Sequence, residues 1–162
     1  MNIEVLKEQI KRHEGEVLEV YEDSLGYLTL GVGHLIREDD EEFGEPAGTP
    51  VSQEVVDRYY DADFDKHVDE TIHVCENNNI DFDNLPEDIQ HVLVNMCFNL
   101  GANRLGKFKN MLKACSNEDW EEMSVQMEDS RWYGQVGRRS KELQEMVLSL
   151  IHISEPTRPE RI

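Results

Sequence analysis

Two carboxylic acids, Glu14 and Asp23, stand nine residues apart near the start of the chain, the first ending an amphipathic stretch and the second beginning a turn. A helix-end acid and a hairpin acid can face each other across a cleft between a helix and a sheet. Cleavage of a glycosidic bond needs such a pair. One carboxyl must be protonated to supply the leaving oxygen, and the other ionised to activate water or stabilise the oxocarbenium-like centre. The chain holds 35 Asp and Glu, so spacing alone favours the plainer reading of a solvated helix-end glutamate and a turn aspartate.

The elements that would position these acids follow from periodicity. Ile3, Leu6 and Ile10 recur at helical spacing and predict an opening helix that ends near His13 and Glu14, with Gly15 supplying the terminating turn. Residues 17–21 and 27–30 flank a turn rich in Asp, Ser and Gly, a hairpin pattern, and Gly31-Val32-Gly33-His34 leaves the second strand. Residues 37–50, acidic and punctuated by Gly and Pro, read as a surface loop. Ser52 caps a long helix carrying Val55, Val56, Tyr59, Tyr60 and Phe64, which runs to about Val74 and is broken by the polar run 76–79. Pro86 opens an apolar helix through Ile89, Val92, Leu93, Met96, Cys97 and Leu100, the candidate core helix, closed by Gly101. Short helices are predicted around 105–114, from Ser116 with Asp119 completing a capping box, and over about 138–147. No internal repeat is present.

The 162 residues suit one domain able to bury a core. With 16 Lys and Arg the formal net charge is −19, which argues against a nucleic-acid binder relying on phosphate neutralisation and against adhesion to anionic membranes or polymers. Cys75, Cys97 and Cys115 are odd in number and lack paired or metal-like spacing, as expected of buried thiols in a reducing compartment. There is no apolar run of membrane-spanning length, and the charged N-terminus is not a signal peptide. Residues 148–162 begin LSLIHISEPTR and resemble the in-frame translation of a transposon-based sequencing adaptor, so they are set apart from the fold. Their Glu155 and Glu160 cancel Arg158 and Arg161, leaving the whole charge excess to residues 1–147.

A denser pattern surrounds the two acids. His13-Glu14-Gly15, Tyr21-Glu22-Asp23 and Gly26-Tyr27-Leu28-Thr29-Leu30-Gly31-Val32-Gly33-His34 are followed in order by Asn95-Met96-Cys97-Phe98-Asn99-Leu100-Gly101, Lys107-Phe108, and Ser130-Arg131-Trp132-Tyr133 with Arg138-Arg139. Together they resemble the phage-type lysozymes, the muramidase endolysins of tailed bacteriophages, over residues 1–147. The resemblance implies an α+β, mainly α, lysozyme-like fold. A small β lobe at about 15–50 and a helical lobe of 1–14 and 51–147 would flank the active-site cleft.

By the same resemblance Glu14 is the general acid, Asp23 the catalytic aspartate and Thr29 a partner in holding water. Inverting chemistry would place the carboxyl groups about 6.5–9.5 Å apart. Arg139 is a positioning residue, and His34 with Asp63 forms a structural ion pair. Leu35, Phe98, Met111 and Gln126 match saccharide-contacting positions, although Met111 replaces a small hydroxyl residue and Gln126 an asparagine of the best-known member. The loop over 36–49 is shorter than in that member. Trp132 and Tyr133 read as core packing.

No cofactor is implied. His34 is not assigned to a metal because no second ligand lies at suitable spacing, and the remaining histidines are given no role. The implied substrate is the glycan strand of peptidoglycan, with no nucleic acid and no stable membrane association. The protein is expected to be a monomer held in the host cytoplasm, reaching the wall through a holin-type lesion. A virion-associated lysozyme that opens the wall during infection and a catalytically inactive wall-binding relative are the other readings. An acidic enzyme acting on an anionic polymer should associate slowly at low salt. Lysis rates should therefore rise as salt is first added to a dilute buffer, and a steady fall from the lowest salt upward would contradict the repulsion.

Overall fold

The computed structural model describes residues 1–154, with side chains through Ile151. The order is α1 (Ile3–Glu14), β1 (Val17–Glu22), β2 (Leu28–Gly31), β3 (His34–Leu35), α2 (Gln53–Glu76), a 3-10 turn (Phe82–Asn84), α3 (Glu87–Leu100), α4 (Ala102–Leu105), α5 (Lys109–Ser116), α6 (Trp120–Glu128), α7 (Arg131–Val136) and α8 (Arg138–Ser154). This is the α+β, mainly helical, lysozyme-like fold expected from the sequence. The chain divides into two compact units, one of Asn2–Lys66 and one of Met1 with the residues from His67 on, so α1 and the first part of α2 group with the sheet.

In the first unit the Asn2 side chain accepts from Val5 N at 3.1 Å and starts α1. Gly15 ends it at φ 80°, donating its N–H to the Lys11 carbonyl at 2.8 Å. The sheet is antiparallel in the order β1-β2-β3, with an irregularity between Val17 and Tyr21. The third strand is an addition to the expected hairpin. Only His34 and Leu35 form it, pairing with Leu30 and Thr29, too short a run for alternation to reveal. The far end of the acidic loop returns along β1. Val20 N donates to Thr49 O, Gly48 N to Val20 O and Val51 N to Leu18 O, and Glu19 bridges to Pro50. Ser52 caps α2, its Oγ accepting from Val55 N at 3.2 Å.

His34 joins three segments of this unit. Its Nδ1 lies 2.7 Å from Asp63 Oδ2 on α2, its Nε2 lies 2.8 Å from Asp40 Oδ2 in the loop, and its ring stacks on Tyr59 at 4.1 Å. Tyr59 in turn donates its hydroxyl to Glu42 at 2.6 Å.

In the second unit α3 is the core helix, with every residue from Ile89 to Cys97 buried. Gly101 closes it at φ 83°, donating to Cys97 O at 2.7 Å. Helix α8 packs on α3 and α6, and α5 packs on α6. Buried polar groups here are mostly paired. Trp132 donates to Asn99 Oδ1 at 2.7 Å, and Gln144 bridges the Ser124 carbonyl and Glu128. The exception among the described residues is His91, whose buried Nε2 has no hydrogen-bond partner. Burial pushes its pKa down against the pull of Glu87 and Asp88, which favours the uncharged ring. Cys75, Cys97 and Cys115 are buried thiols outside any disulfide, and burial raises Cys75 and Cys115 to about 12.

The helices differ from the sequence expectation at four places. The single helix at 105–114 is two, α4 and α5, separated by residues 106–108. Ser116 ends α5 instead of starting the next helix. The chain reverses through Glu118 at φ 57°, and Asp119 alone caps α6, accepting from Glu122 N at 3.1 Å. Helix α7 was not expected, although Ser130 caps it by accepting from Tyr133 N at 3.2 Å. Helix α8 continues through Ser154, so the first seven residues of the segment set apart as adaptor-like are helical. Ser149 Oγ donates to Met146 O at 2.7 Å and to Asp88 Oδ2 at 3.4 Å. The rest of that segment lies outside the described residues.

Burial alone would depress His34, but its hydrogen bonds to Asp63 and Asp40 and their charges outweigh burial and raise its pKa. A raised pKa means that the stability His34 contributes is fully present below its unfolded value of about 6.5 and is lost as pH climbs through the folded value. Replacing it by His34→Gln should cost about 1–3 kcal/mol near pH 6 and flatten the decline in denaturation midpoint above neutrality. Parallel declines in wild type and variant would show that His34 is not the titrating group.

Candidate active site

The helix-end glutamate and the hairpin lie in the same unit. Helix α1 stops at Glu14 because Gly15 adopts a left-handed conformation, which leaves the half-buried carboxyl at the point where the chain turns into β1. Gly33, also left-handed at φ 67°, lies against that carboxyl, and a Cβ built there would stand 3.1 Å from Glu14 Oε1. The glycine thus keeps clear the volume beside the acid.

Asp23 is fixed by the turn it makes. Its Oδ1 accepts from Leu25 N and Tyr27 N, both at 2.9 Å, while its own N–H donates to Tyr27 O at 2.9 Å. These bonds close the β1–β2 turn around the carboxylate and hold it in one orientation. Thr29 is buried on β2 and donates its hydroxyl proton to Tyr27 O at 3.0 Å, so its oxygen lone pairs are presented as acceptors.

The register adds a residue that the sequence reading left out of the site. Tyr21 pairs with Thr29, and Thr29 pairs with Leu35, so the three side chains form a row on one face of the sheet. Burial raises the Tyr21 pKa, and the charges of Glu14 and Asp23 raise it further, so the phenol keeps its proton in the field of both acids. The signal was present in Tyr21-Glu22-Asp23, because the last residues of the strand lead directly into the turn that holds Asp23. Leu35 is the exposed end of this row.

The remaining assigned residues belong to the second unit. Met111 and Gln126 line one open pocket of about 270 Å³ together with Lys107, Phe108, Lys109 and Asn110. Phe98 is half-buried, its ring 4.8 Å from that of His67. Arg139 is buried and donates to Asn95, Nε to Oδ1 at 2.8 Å and Nη2 to the carbonyl at 3.3 Å. His34 and Asp63 meet as described, and Asp40 joins them as a third member that the sequence did not single out. Trp132 is buried, with its ring edge-on to Phe108.

Fold and site together define a lysozyme-like protein in which a helix-end carboxyl, a turn carboxyl and a buried threonine hydroxyl are carried by one small helix-and-sheet unit. Residues 11–146 match the phage lysozyme family, and the chain belongs to that family. It is 30% identical over 150 residues to the probable T4-type lysozyme 2 of Dictyostelium discoideum, covering 83% of this chain and 88% of that one. It is 27% identical over 161 residues to the pre-baseplate central spike protein Gp5 of Enterobacteria phage T4, covering 89% of this chain and 28% of that protein. It is also 24% identical over 139 residues to the peptidoglycan hydrolase gp36 of Pseudomonas phage phiKMV, covering 83% of this chain and 14% of that one.

Gly33 offers a test of how closely Glu14 must be placed. Gly33→Ala brings a methyl group against Oε1 and forces an L-residue into the left-handed region, costing about 1–2 kcal/mol of stability. Turnover should fall at least tenfold while the protein remains folded at 25 °C. A variant with lowered melting temperature and full turnover would show that Glu14 does not depend on this contact.

Proposed function

We propose that the chain is a muramidase that hydrolyses the β-1,4 bond between N-acetylmuramic acid and N-acetylglucosamine in peptidoglycan. The observation that supports this reading is that Tyr21, the cross-strand partner of Thr29, lies in the field of both Glu14 and Asp23. Protonated Glu14 gives its proton to the glycosidic oxygen as the bond breaks. A water on the opposite face of the sugar ring is oriented by the Asp23 carboxylate and the lone pairs of Thr29, attacks the anomeric carbon and passes its proton to Asp23. The product then has inverted configuration. Arg139, held by Asn95, serves as a positioning residue.

The pocket lined by Met111 and Gln126 is assigned to the glycan strand and its substituents. Lys107 and Lys109 line it together with Asp129, and Arg104 and Lys113 lie within the same ten residues as the two lysines, so the lining is net positive in a chain of net −19. An anionic polymer repelled by the chain as a whole can still be held at such a place. Met111 offers a thioether rather than a hydroxyl, so contact there is by packing more than by hydrogen bonding.

The biological setting we favour is an endolysin that acts as a monomer, accumulates in the host cytoplasm and reaches the wall after a holin-type lesion. Similarity to a baseplate spike protein supports the second reading, a virion-borne lysozyme that opens the wall during infection. A neighbouring holin gene would favour the first and a neighbouring tail module the second.

Turbidity loss of outer-membrane-permeabilised Gram-negative cells measures the chemistry. Glu14→Gln should lower the rate by about 10²–10⁴-fold. Asp23→Asn retains an oxygen to accept from Leu25 and Tyr27, so it should fold normally while losing a comparable factor. Equal lysis by wild type and Glu14→Gln would sink the mechanism. Absence of lysis by the folded wild type would favour the inactive wall-binding alternative. Proton NMR of the first-formed reducing ends should show the α anomer, whereas the β anomer would indicate retention.

A further inference from the structure

Three donor groups that the proposed hydrolysis does not use meet in the second unit. His67 and Glu70 stand three residues apart on α2, with Nδ1 2.9 Å from Oε1. Cys97, wholly buried on α3, places its Sγ 3.9 Å from His67 Nδ1 and 3.9 Å from Glu70 Oε1. The His67 ring is backed by Phe98 at 4.8 Å, and Thr71 donates to the His67 carbonyl at 2.7 Å. The imidazole and carboxylate are partly open to solvent, at 19% and 31% side-chain exposure, while the sulfur is closed off.

Zinc binds thiolate sulfur at about 2.3 Å and imidazole nitrogen or carboxylate oxygen at about 2.0–2.2 Å, which sets its ligand atoms roughly 3.2–3.7 Å apart in a tetrahedron. The observed triangle of 2.9, 3.9 and 3.9 Å brackets those edges, so shifts of a few tenths of an ångström would complete the set. One thiolate with one imidazole selects zinc-like ions over magnesium or calcium, which prefer all-oxygen sites.

We propose that His67, Glu70 and Cys97 form a binding site for a zinc-class divalent cation, with water completing the tetrahedron on the open side. The ion would pin α2 to α3 as a structural clamp. Binding releases the Cys97 thiol proton to solvent and takes the His67 ring as the neutral tautomer with its proton on Nε2, leaving the Nδ1 lone pair for the ion. Affinity therefore rises with pH. Chain spacing hides the site, because Cys97 lies thirty residues from His67 and only the packing of two helices brings them together.

The test is cobalt(II) titration of the reduced, chelator-treated full chain. One equivalent should give a thiolate-to-cobalt charge-transfer band in the near ultraviolet with intense tetrahedral bands in the visible, and zinc should displace both. Zinc should also raise the melting temperature. Cys97→Ser should abolish the charge-transfer band, His67→Gln and Glu70→Gln should each weaken binding at least tenfold, and Cys75→Ser should leave the spectrum unchanged. Wild type without a sulfur band, or a band that persists in Cys97→Ser, would overturn the site. Should Cys97→Ser fail to fold, His67→Gln with undiminished cobalt affinity would overturn it equally.

Discussion

The first unit depends on one imidazole held between two carboxylates. His34 belongs to the shortest strand, and a two-residue strand is too short to hold its register by backbone bonds alone. Its side chain supplies what the backbone lacks, reaching Asp63 on α2 and Asp40 in the loop while its ring lies on Tyr59. With that clamp in place β3 is fixed, Leu35 stands opposite Thr29, and Thr29 stands opposite Tyr21. Each ring nitrogen has a carboxylate partner, so a charged imidazole can be largely buried without the loss an unpaired one would suffer. Asp40 benefits in return. Burial opposes its ionisation, but donors from Arg37 N and His34, with their charges, hold its carboxyl below the ordinary range.

The two acids of the site are held by different means, in keeping with the different work proposed for them. Asp23 is tied by two backbone N–H groups to a tight turn, an arrangement suited to a group that must point in one direction while ionised. Glu14 is placed by where its helix stops and by a glycine that leaves room beside it. Backbone conformation sets both positions, and the elements involved occupy little more than thirty residues.

Much of this was legible in the sequence because it is local. A helix that ends at Gly15, a hairpin closed by Asp23, a cap at Ser52, and a core helix running from Pro86 to Gly101 are all written in neighbouring residues. What was missed depends on longer range or on very short runs. Two residues cannot announce β3, and one helical turn and a half cannot announce α7. Ser116 and Asp119 are both good caps, and only the left-handed turn at Glu118 decides between them. Tyr21 enters the site through strand register, Asp40 through a loop that folds back on His34, and the His67, Glu70 and Cys97 group through packing of α2 on α3.

The path of the acidic loop has a consequence for how this part of the protein can vary. Its end, residues 48–51, lies along the otherwise open side of β1 and occupies backbone groups at Leu18 and Val20. An uncovered strand edge is a template for pairing with other chains, and this cover removes it without adding a further strand. Length changes are therefore best tolerated between Glu42, which Tyr59 holds, and Pro46, which holds Thr49. Residues 43–45 can shrink or grow as surface sequence, whereas losing residues 48–51 would expose β1 as an edge open to pairing with other chains.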